Sequence, residues 1–413
     1  VVAKKRVLIG RRNFLLGLSS LAGTGALAIA SKYRYENNQT QALAKNIYFP
    51  VVGHTPLRKR AAAKGLIYGA ATQKYMLSSN KAFATSFAQE CAMLVPEDEL
   101  KWRNLRPSPN SFDFTRSDWL AQFASTHDML FRGHTLVWHA RLPKWFKTTV
   151  NRQNAEQMLV KHITTVAGHY AGKIHSWDVV NEAVFPKDGR SDGLRNTPWL
   201  KFLGPDYIDL AFRAAAEADS RALLVYNDYG MEYDTPKDEA KRTAVLKLLE
   251  RLKSKGTPVQ ALGIQAHLWG GETRFNAVKL KAFLKDVADL GLKIMITELD
   301  VTDKKLPKDV KVRDRLVAGI YEEYLSVVLD EPAVIAVLTW GLSDRYTWLT
   351  EKQPRKDGVS VRPLPLDTQM KRKLAWNAIA RAFDSAPISE DRSTKAEGRG
   401  QEAEGRNNFH PLL

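Results

Sequence analysis

Cysteine occurs once in this 413-residue chain, as Cys91. One thiol excludes an intramolecular disulfide and any zinc site built from several thiolates. The histidines include no His-x-His pair, the pattern a metal-dependent barrel hydrolase would place at a strand end. No glycine-rich phosphate loop follows any apolar run, which removes the usual anchor for a nucleotide. No metal and no cofactor is therefore expected. Acid is missing from the first 34 positions, which carry Lys4, Lys5, Arg6, Arg11, Arg12, Lys32 and Arg34. Long apolar runs are missing too. Residues 14–30 form a mildly apolar stretch of 17 residues with three glycines, at the short limit for a membrane span.

Positive charge is abundant. Lys and Arg number 62 against 45 Asp and Glu, a formal net charge of +17. The total alone suggests an anionic partner, with nucleic acid the first candidate. Its placement argues otherwise. The order of basic region, apolar region and small residues (Ala26-Leu27-Ala28, Ala28-Ile29-Ala30) reads as an export signal over 1–30. Its Arg11-Arg12-Asn13-Phe14-Leu15 run resembles a twin-arginine signal, with Gly10 where Ser or Thr usually precedes the pair. Removing 1–30 leaves +12, scattered over helical segments such as 237–255 and 304–315. No nucleic-acid module is present. The expected product is exported, periplasmic or extracellular, a monomer, and not stably inserted in a membrane. Residues 31–59 read as an N-terminal extension and 384–413 as a disordered polar tail.

Between these ends, short apolar runs recur at 66–71, 93–97, 130–138, 174–182, 222–228, 261–268, 293–301 and 334–342. Helix-period segments fill the gaps, among them 154–171, 206–219, 239–254 and 276–290. Near-continuous apolar strands alternating with amphipathic helices indicate parallel strands covered by helices. Eight such units favour an α/β fold with a single closed (β/α)8 (TIM) barrel over 60–383.

In such a barrel the chemistry sits at the carboxyl ends of the strands. Those ends carry Glu97-Asp98 with Lys101-Trp102, His134 with Trp138-His139, Asn181-Glu182, Asn227-Asp228-Tyr229, Gln265 and His267, Glu298 and Asp300, and Trp340 with Trp348 beyond it. Burying that many polar groups without a polar ligand would cost about 1–3 kcal/mol per unsatisfied group. A polyhydroxylated substrate satisfies them, and flat indoles pack on its rings. The expected site is a sugar cleft. Glycosidic bonds are broken by two carboxyl groups flanking the scissile oxygen. Glu182 and Glu298 lie nearly opposite each other across the barrel mouth. Apolar neighbours (Val180, Ala183, Val184, Phe185) favour a protonated Glu182, the general acid/base. Asp300 and His267 hold Glu298 ionised and oriented, as the nucleophile.

WDVVNEAV (177–184) and ITELDV (296–301) resemble the acid/base and nucleophile motifs of glycoside hydrolase family 10, the endo-1,4-β-xylanases. PEDELKW (96–102), RGHTLVWH (132–139), YNDYG (226–230), GIQAHL (263–268), TWGLSDRYTWL (339–349) and RPLPLD (362–367) follow in order. The resemblance covers about 60–380. It implies a retaining endo-xylanase acting on xylan through a covalent glycosyl-enzyme intermediate. By the same motifs Asn181 bonds the sugar 2-hydroxyl. Glu97, Lys101, His134, Trp138, Gln265 and His267 line the glycone side, Trp340 and Trp348 wall the −1 region, and Tyr229 faces the leaving group.

One residue departs from the family pattern. Asp98 stands where an Asn is usual, and a carboxylate there only accepts hydrogen bonds. It is expected either to change affinity at the glycone subsites or to be neutralised by Lys101 or Arg103. The alternative activity is a retaining β-1,4-glycanase for mixed-linkage glucan or cellulose. A non-catalytic carbohydrate binder would require loss of one carboxylate, and both are present.

Overall fold

The computed structural model describes residues 49–271 and 275–388. The expected export signal and residues 389–413 of the polar tail lie outside the described residues. The chain divides after Tyr48 into two units, and the account below concerns the unit that begins at Phe49.

Eight strand positions close a parallel barrel. They are β1 (Ile67–Thr72), β2 (Met93–Pro96), β3 (Leu130–Val137), β4 (Ser176–Asn181), β5 (Leu223–Asp228), β6 (Ala261–Ile264) with its continuation β7 (His267–Trp269), β8 (Lys293–Thr302) and β9 (Val334–Thr339). Each neighbour pair is parallel, and β1 closes the ring by pairing with both β2 and β9.

The sixth position departs from the expected continuous run 261–268. It breaks at Gln265-Ala266, where Ala266 takes a left-handed φ of 59°. β6 pairs with both β5 and β8, whereas β7 pairs with β8 through His267 opposite Asp300. At the break a side chain replaces the missing strand, because Glu232 Oε1 accepts the Ala266 N–H at 3.2 Å.

The amphipathic stretches form helices Ala155–His169, Tyr207–Ala218, Pro236–Ser254 and Ala277–Asp289. Their starts follow from local chemistry. Thr235 precedes Pro236 and its hydroxyl accepts the Asp238 N–H at 3.1 Å, while Asn276 caps Lys279 at 3.2 Å. A side-chain cap of this kind contributes about 1 kcal/mol, and proline at the first helical position removes an N–H that would have no partner.

The barrel interior is filled by Ala71, Met93, Val95, Val225, Ala261, Met295, Ala336 and Leu338, with Trp340 closing it at the rim. Small and medium side chains pack the axis, so the barrel is solid below the cleft. Gly133 in β3 is required by close approach, since a Cβ there would come within 2.0 Å of the Trp177 ring in β4.

A buried carboxylate joins the beginning and end of the described chain. Glu90 accepts from the Leu57 backbone N–H at 2.9 Å, from Arg372 at 2.6 Å and from the Trp376 indole at 3.0 Å. Arg60 pairs with Asp384 at 2.5 Å beside it. The helices Leu57–Ala62 and Leu374–Ser385 are thereby fastened to each other and to the first strand. Cys91 is fully buried, and burial pushes its thiol well above the ordinary value, so it acts as a small apolar side chain.

Candidate active site

A cleft of about 1000 Å³ opens at the carboxyl ends of the strands. Glu97, Lys101, His134, Trp138, Asn181, Glu182, Gln265, His267, Glu298, Trp340 and Trp348 all line it, together with Asp98 and Tyr229. Two residues read as strand-end polar groups turn elsewhere. Trp102 is buried, stacks on His162 with ring centroids 3.7 Å apart, and donates to the Leu136 carbonyl at 2.6 Å. His139 lies outside the cleft lining, and burial together with the nearby Arg195 charge pushes it down to about 4.

Glu298 projects from β8 and is held on both carboxylate oxygens. Asn227 donates to Oε1 at 2.9 Å, and His267 Nε2 lies 3.2 Å from Oε2. The other ring nitrogen of His267 faces Asp300 Oδ1 at 2.9 Å, and the Trp348 indole donates to Asp300 Oδ2 at 2.7 Å. Asp300 therefore fixes a cleft histidine and a cleft indole at once. Burial alone would raise the Glu298 carboxyl. The His267 hydrogen bond, the electrostatic influence of the nearby His134 and His267 rings and the Asn227 amide outweigh it and hold the group down at about 2. Burial works against charging His267 as well, yet Asp300 and Glu298 raise its pKa well above the ordinary imidazole value.

Glu182 follows β4 with a left-handed φ of 58°. Non-glycine residues seldom adopt that region, and it persists where the surroundings fix it. Here the Glu182 N–H donates to the Asn227 carbonyl at 2.9 Å, and its own carbonyl accepts from Arg195 Nε at 2.8 Å. Arg195 also donates to the Tyr229 hydroxyl at 2.9 Å. The carboxyl accepts from Gln265 at 3.2 Å and from Asn181 at 3.4 Å. Its pKa moves opposite to that of Glu298. Burial raises it first, and the negative charge of Asp228 adds to this. Asp228 is itself buried and paired with Lys241 at 2.7 Å.

Amides connect the two carboxyl groups. Asn181 Oδ1 accepts from Asn227 at 2.9 Å and from Gln265 at 3.3 Å. Asn227 Oδ1 in turn accepts from Thr297 at 2.7 Å. Asn227 was visible as a strand-end amide, but nothing in the sequence tied it to Glu298. Its role comes from the side-by-side placement of residues 71 apart in the chain. Asp178 is a second such residue. It accepts from Arg132 at 2.5 Å and lies 2.9 Å from His134 Nδ1, which orients that ring toward the cleft.

On the side of β2 and β3, the Lys101 ammonium lies 5.3 Å from the Trp138 ring centroid and 5.7 Å from that of Trp340. Burial pushes the Glu97 carboxyl up to about 7, with Lys101 and Gln73 opposing. Asp98 lies near Lys101 at 3.8 Å and Arg103 at 3.5 Å, as expected. The Asn104 amide adds a shorter contact at 2.7 Å. Among the described residues no group of three or more His, Cys, Asp or Glu is placed to hold a metal ion, and no helix is long and apolar enough to cross a membrane.

The arrangement sets a carboxyl held down at about 2 against a second carboxyl raised above its ordinary value, in a cleft walled by indoles and amides. That is the requirement for glycosidic cleavage. The chain is similar to known proteins in sequence and in fold. Endo-1,4-beta-xylanase 5 of Pyricularia oryzae is 32% identical over 82% of this chain and 82% of its own length. Beta-1,4-xylanase of Dictyoglomus thermophilum is 37% identical over 62% of this chain and 72% of its own. The crystal structure of xylanase 10B from Thermotoga maritima superposes with a TM-score of 0.73 at 33% identity, covering 80% of this chain and 98% of that one. Xylanase 10B from Thermotoga petrophila, solved in complex with xylobiose, gives a TM-score of 0.73 at 32% identity over 81% and 99% of the two chains. The profile of glycosyl hydrolase family 10 matches residues 56–382. The chain is a glycoside hydrolase and belongs to that family.

Proposed function

We propose that the protein is an endo-acting β-1,4-xylanase that cleaves internal bonds of xylan with retention of configuration. The observation carrying this reading is the opposite displacement of two carboxyl groups facing one cleft, Glu298 down to about 2 and Glu182 upward. Glu298 attacks the anomeric carbon while the Glu182 proton passes to the leaving oxygen, which breaks the glycosidic bond and forms a glycosyl ester. Glu182, now ionised, takes a proton from water, and the resulting nucleophile displaces Glu298 from the sugar. In this reading Asn181 bonds the 2-hydroxyl, and Lys101, His134 and Glu97 bind the glycone. The relatives named as xylanases and the xylobiose-bound structure from Thermotoga petrophila favour xylose units over glucose.

Glu182→Ala and Glu298→Ala should each lower turnover on xylan by at least about 10²-fold, since acid–base assistance alone is commonly worth 10²–10⁴. Near wild-type turnover in either variant overturns the assignment. Reducing ends released from xylan and from mixed-linkage glucan give the substrate preference, and the anomeric configuration of the first product gives the stereochemistry. In the same reading residues 1–30 direct export by a twin-arginine route, residues 60–383 form the catalytic barrel, and the processed enzyme is a monomer. The mass and location of the processed chain test the first point, and its sedimentation tests the last.

A further inference from the structure

Trp269 is the exposed indole of the cleft, with 44% of its surface accessible, against 7% for Trp340. It lies in β7 two residues beyond His267, and Leu268 between them is buried. Alternation along a strand therefore puts Trp269 on the cleft side with His267, about 6–7 Å further out. Among the described residues its ring has no aromatic partner and its indole N–H no hydrogen-bond partner.

The backbone under it is firmly held. The Trp269 N–H donates to the Tyr233 hydroxyl at 2.6 Å, and the Tyr233 ring stacks on Phe275 at 5.0 Å. The next N–H, of Gly270, donates to the Thr302 carbonyl at 2.8 Å. A Cβ on Gly270 would meet that carbonyl at 2.7 Å, so glycine is what lets the strand stay against β8 here. An unpartnered large ring on a rigid strand at the edge of a carbohydrate cleft is a stacking surface left open.

Its side of the cleft follows from its neighbours. Tyr233 belongs to the loop after β5 that begins with Tyr229, and Tyr229 is bonded to Arg195, which holds the Glu182 carbonyl. This is the acid/base side, away from Glu97 and Lys101. We propose that Trp269 forms a distal subsite on the leaving-group side, where the C–H face of a pyranose ring of the departing xylan segment packs on the indole. The proposal rests on the xylanase reading above and adds a chain-length preference to it.

The test compares Trp269→Ala and Trp269→Phe with wild type on xylohexaose and on an aryl β-xylobioside, whose small leaving group stops short of Trp269. The expected result for Trp269→Ala is an unchanged kcat/KM on the aryl glycoside and a loss of about tenfold on xylohexaose, carried mainly by KM. Trp269→Phe should recover part of that loss, and the preferred cleavage position in xylohexaose should shift in the Ala variant. No loss on xylohexaose, or an equal loss on both substrates, overturns the subsite. Absence of hydrolysis of either substrate by the wild-type enzyme would instead overturn the xylanase reading itself.

Discussion

His267 Nε2 lies 3.2 Å from Glu298 Oε2, and the ring carries its positive charge between that carboxylate and Asp300. A half-buried imidazolium beside a buried carboxylate lowers the acid's pKa and raises the base's, and both shifts are present. Replacing His267 with Ala removes a donor and a charge, so the Glu298 carboxyl should rise from about 2. The acid limb of the kcat/KM profile should then move to higher pH. Activity at pH 4 should fall relative to pH 6 by about tenfold or more, whereas the wild-type ratio stays flat on this account. A parallel loss at both pH values would assign His267 to binding alone.

Asn227 joins the two halves of the site through one amide group. Its replacement by Ala leaves Glu298 Oε1 and Asn181 Oδ1 without their shared donor. Loss of one fixed donor at a reacting group costs about 10²–10³ in kcat. The expected outcome is a kcat loss of that order with a modest KM change, measured on xylohexaose. An unchanged kcat would place Asn227 among purely structural contacts.

Glu182 makes the opposite contribution to stability. Its pKa is raised in the folded state by burial and by Asp228. What it contributes to stability is therefore complete below the ordinary carboxyl value and lost as pH rises through the folded value. At pH 7 much of that contribution is gone, a loss that an amide does not suffer. Glu182→Gln should raise Tm by roughly 2–4 °C at pH 7, and the gain should vanish at pH 3, where the native carboxyl is protonated. Thermal unfolding at the two pH values decides it.

Asp98 offers only acceptors to a bound sugar, and its own charge is drawn toward Asn104, Arg103 and Lys101. Asp98→Asn restores a donor at the cleft edge and frees Lys101 from one carboxylate. KM for xylo-oligosaccharides should fall. An equal KM in the two proteins would show that the carboxylate is spent on its protein neighbours and never meets the substrate.

The barrel was legible because eight apolar runs mark strands whichever way their ends are used. The cleft residues were legible because strand ends are where this topology gathers polar groups. What escaped depends on direction rather than position. Trp102 and Trp138 both follow strands at the rim, but Trp102 begins a short helix and turns inward onto His162. The break between β6 and β7 carries no glycine or proline at Gln265-Ala266, since a side chain from Glu232 makes the turn tolerable. Arg195 and Asp178 act through partners 13 and 44 residues away, and no local pattern announces such pairs.

Glu90 has a consequence for the order in which the polypeptide is threaded. Leu57 and Trp376 bind the same carboxylate, Arg60 reaches Asp384, and the Asn377 amide donates to the Phe49 carbonyl at 2.9 Å. The ring is thus held at its seam by the pairing of β1 with β9 and by these side chains, where everywhere else the chain also runs on from one strand to the next. Residues 49–388 could be spliced head to tail across that seam and reopened in a surface loop between two outer helices, with the same strand neighbours and the same cleft. Which strand is made first is a property of the gene, while the enzyme's geometry belongs to the circle.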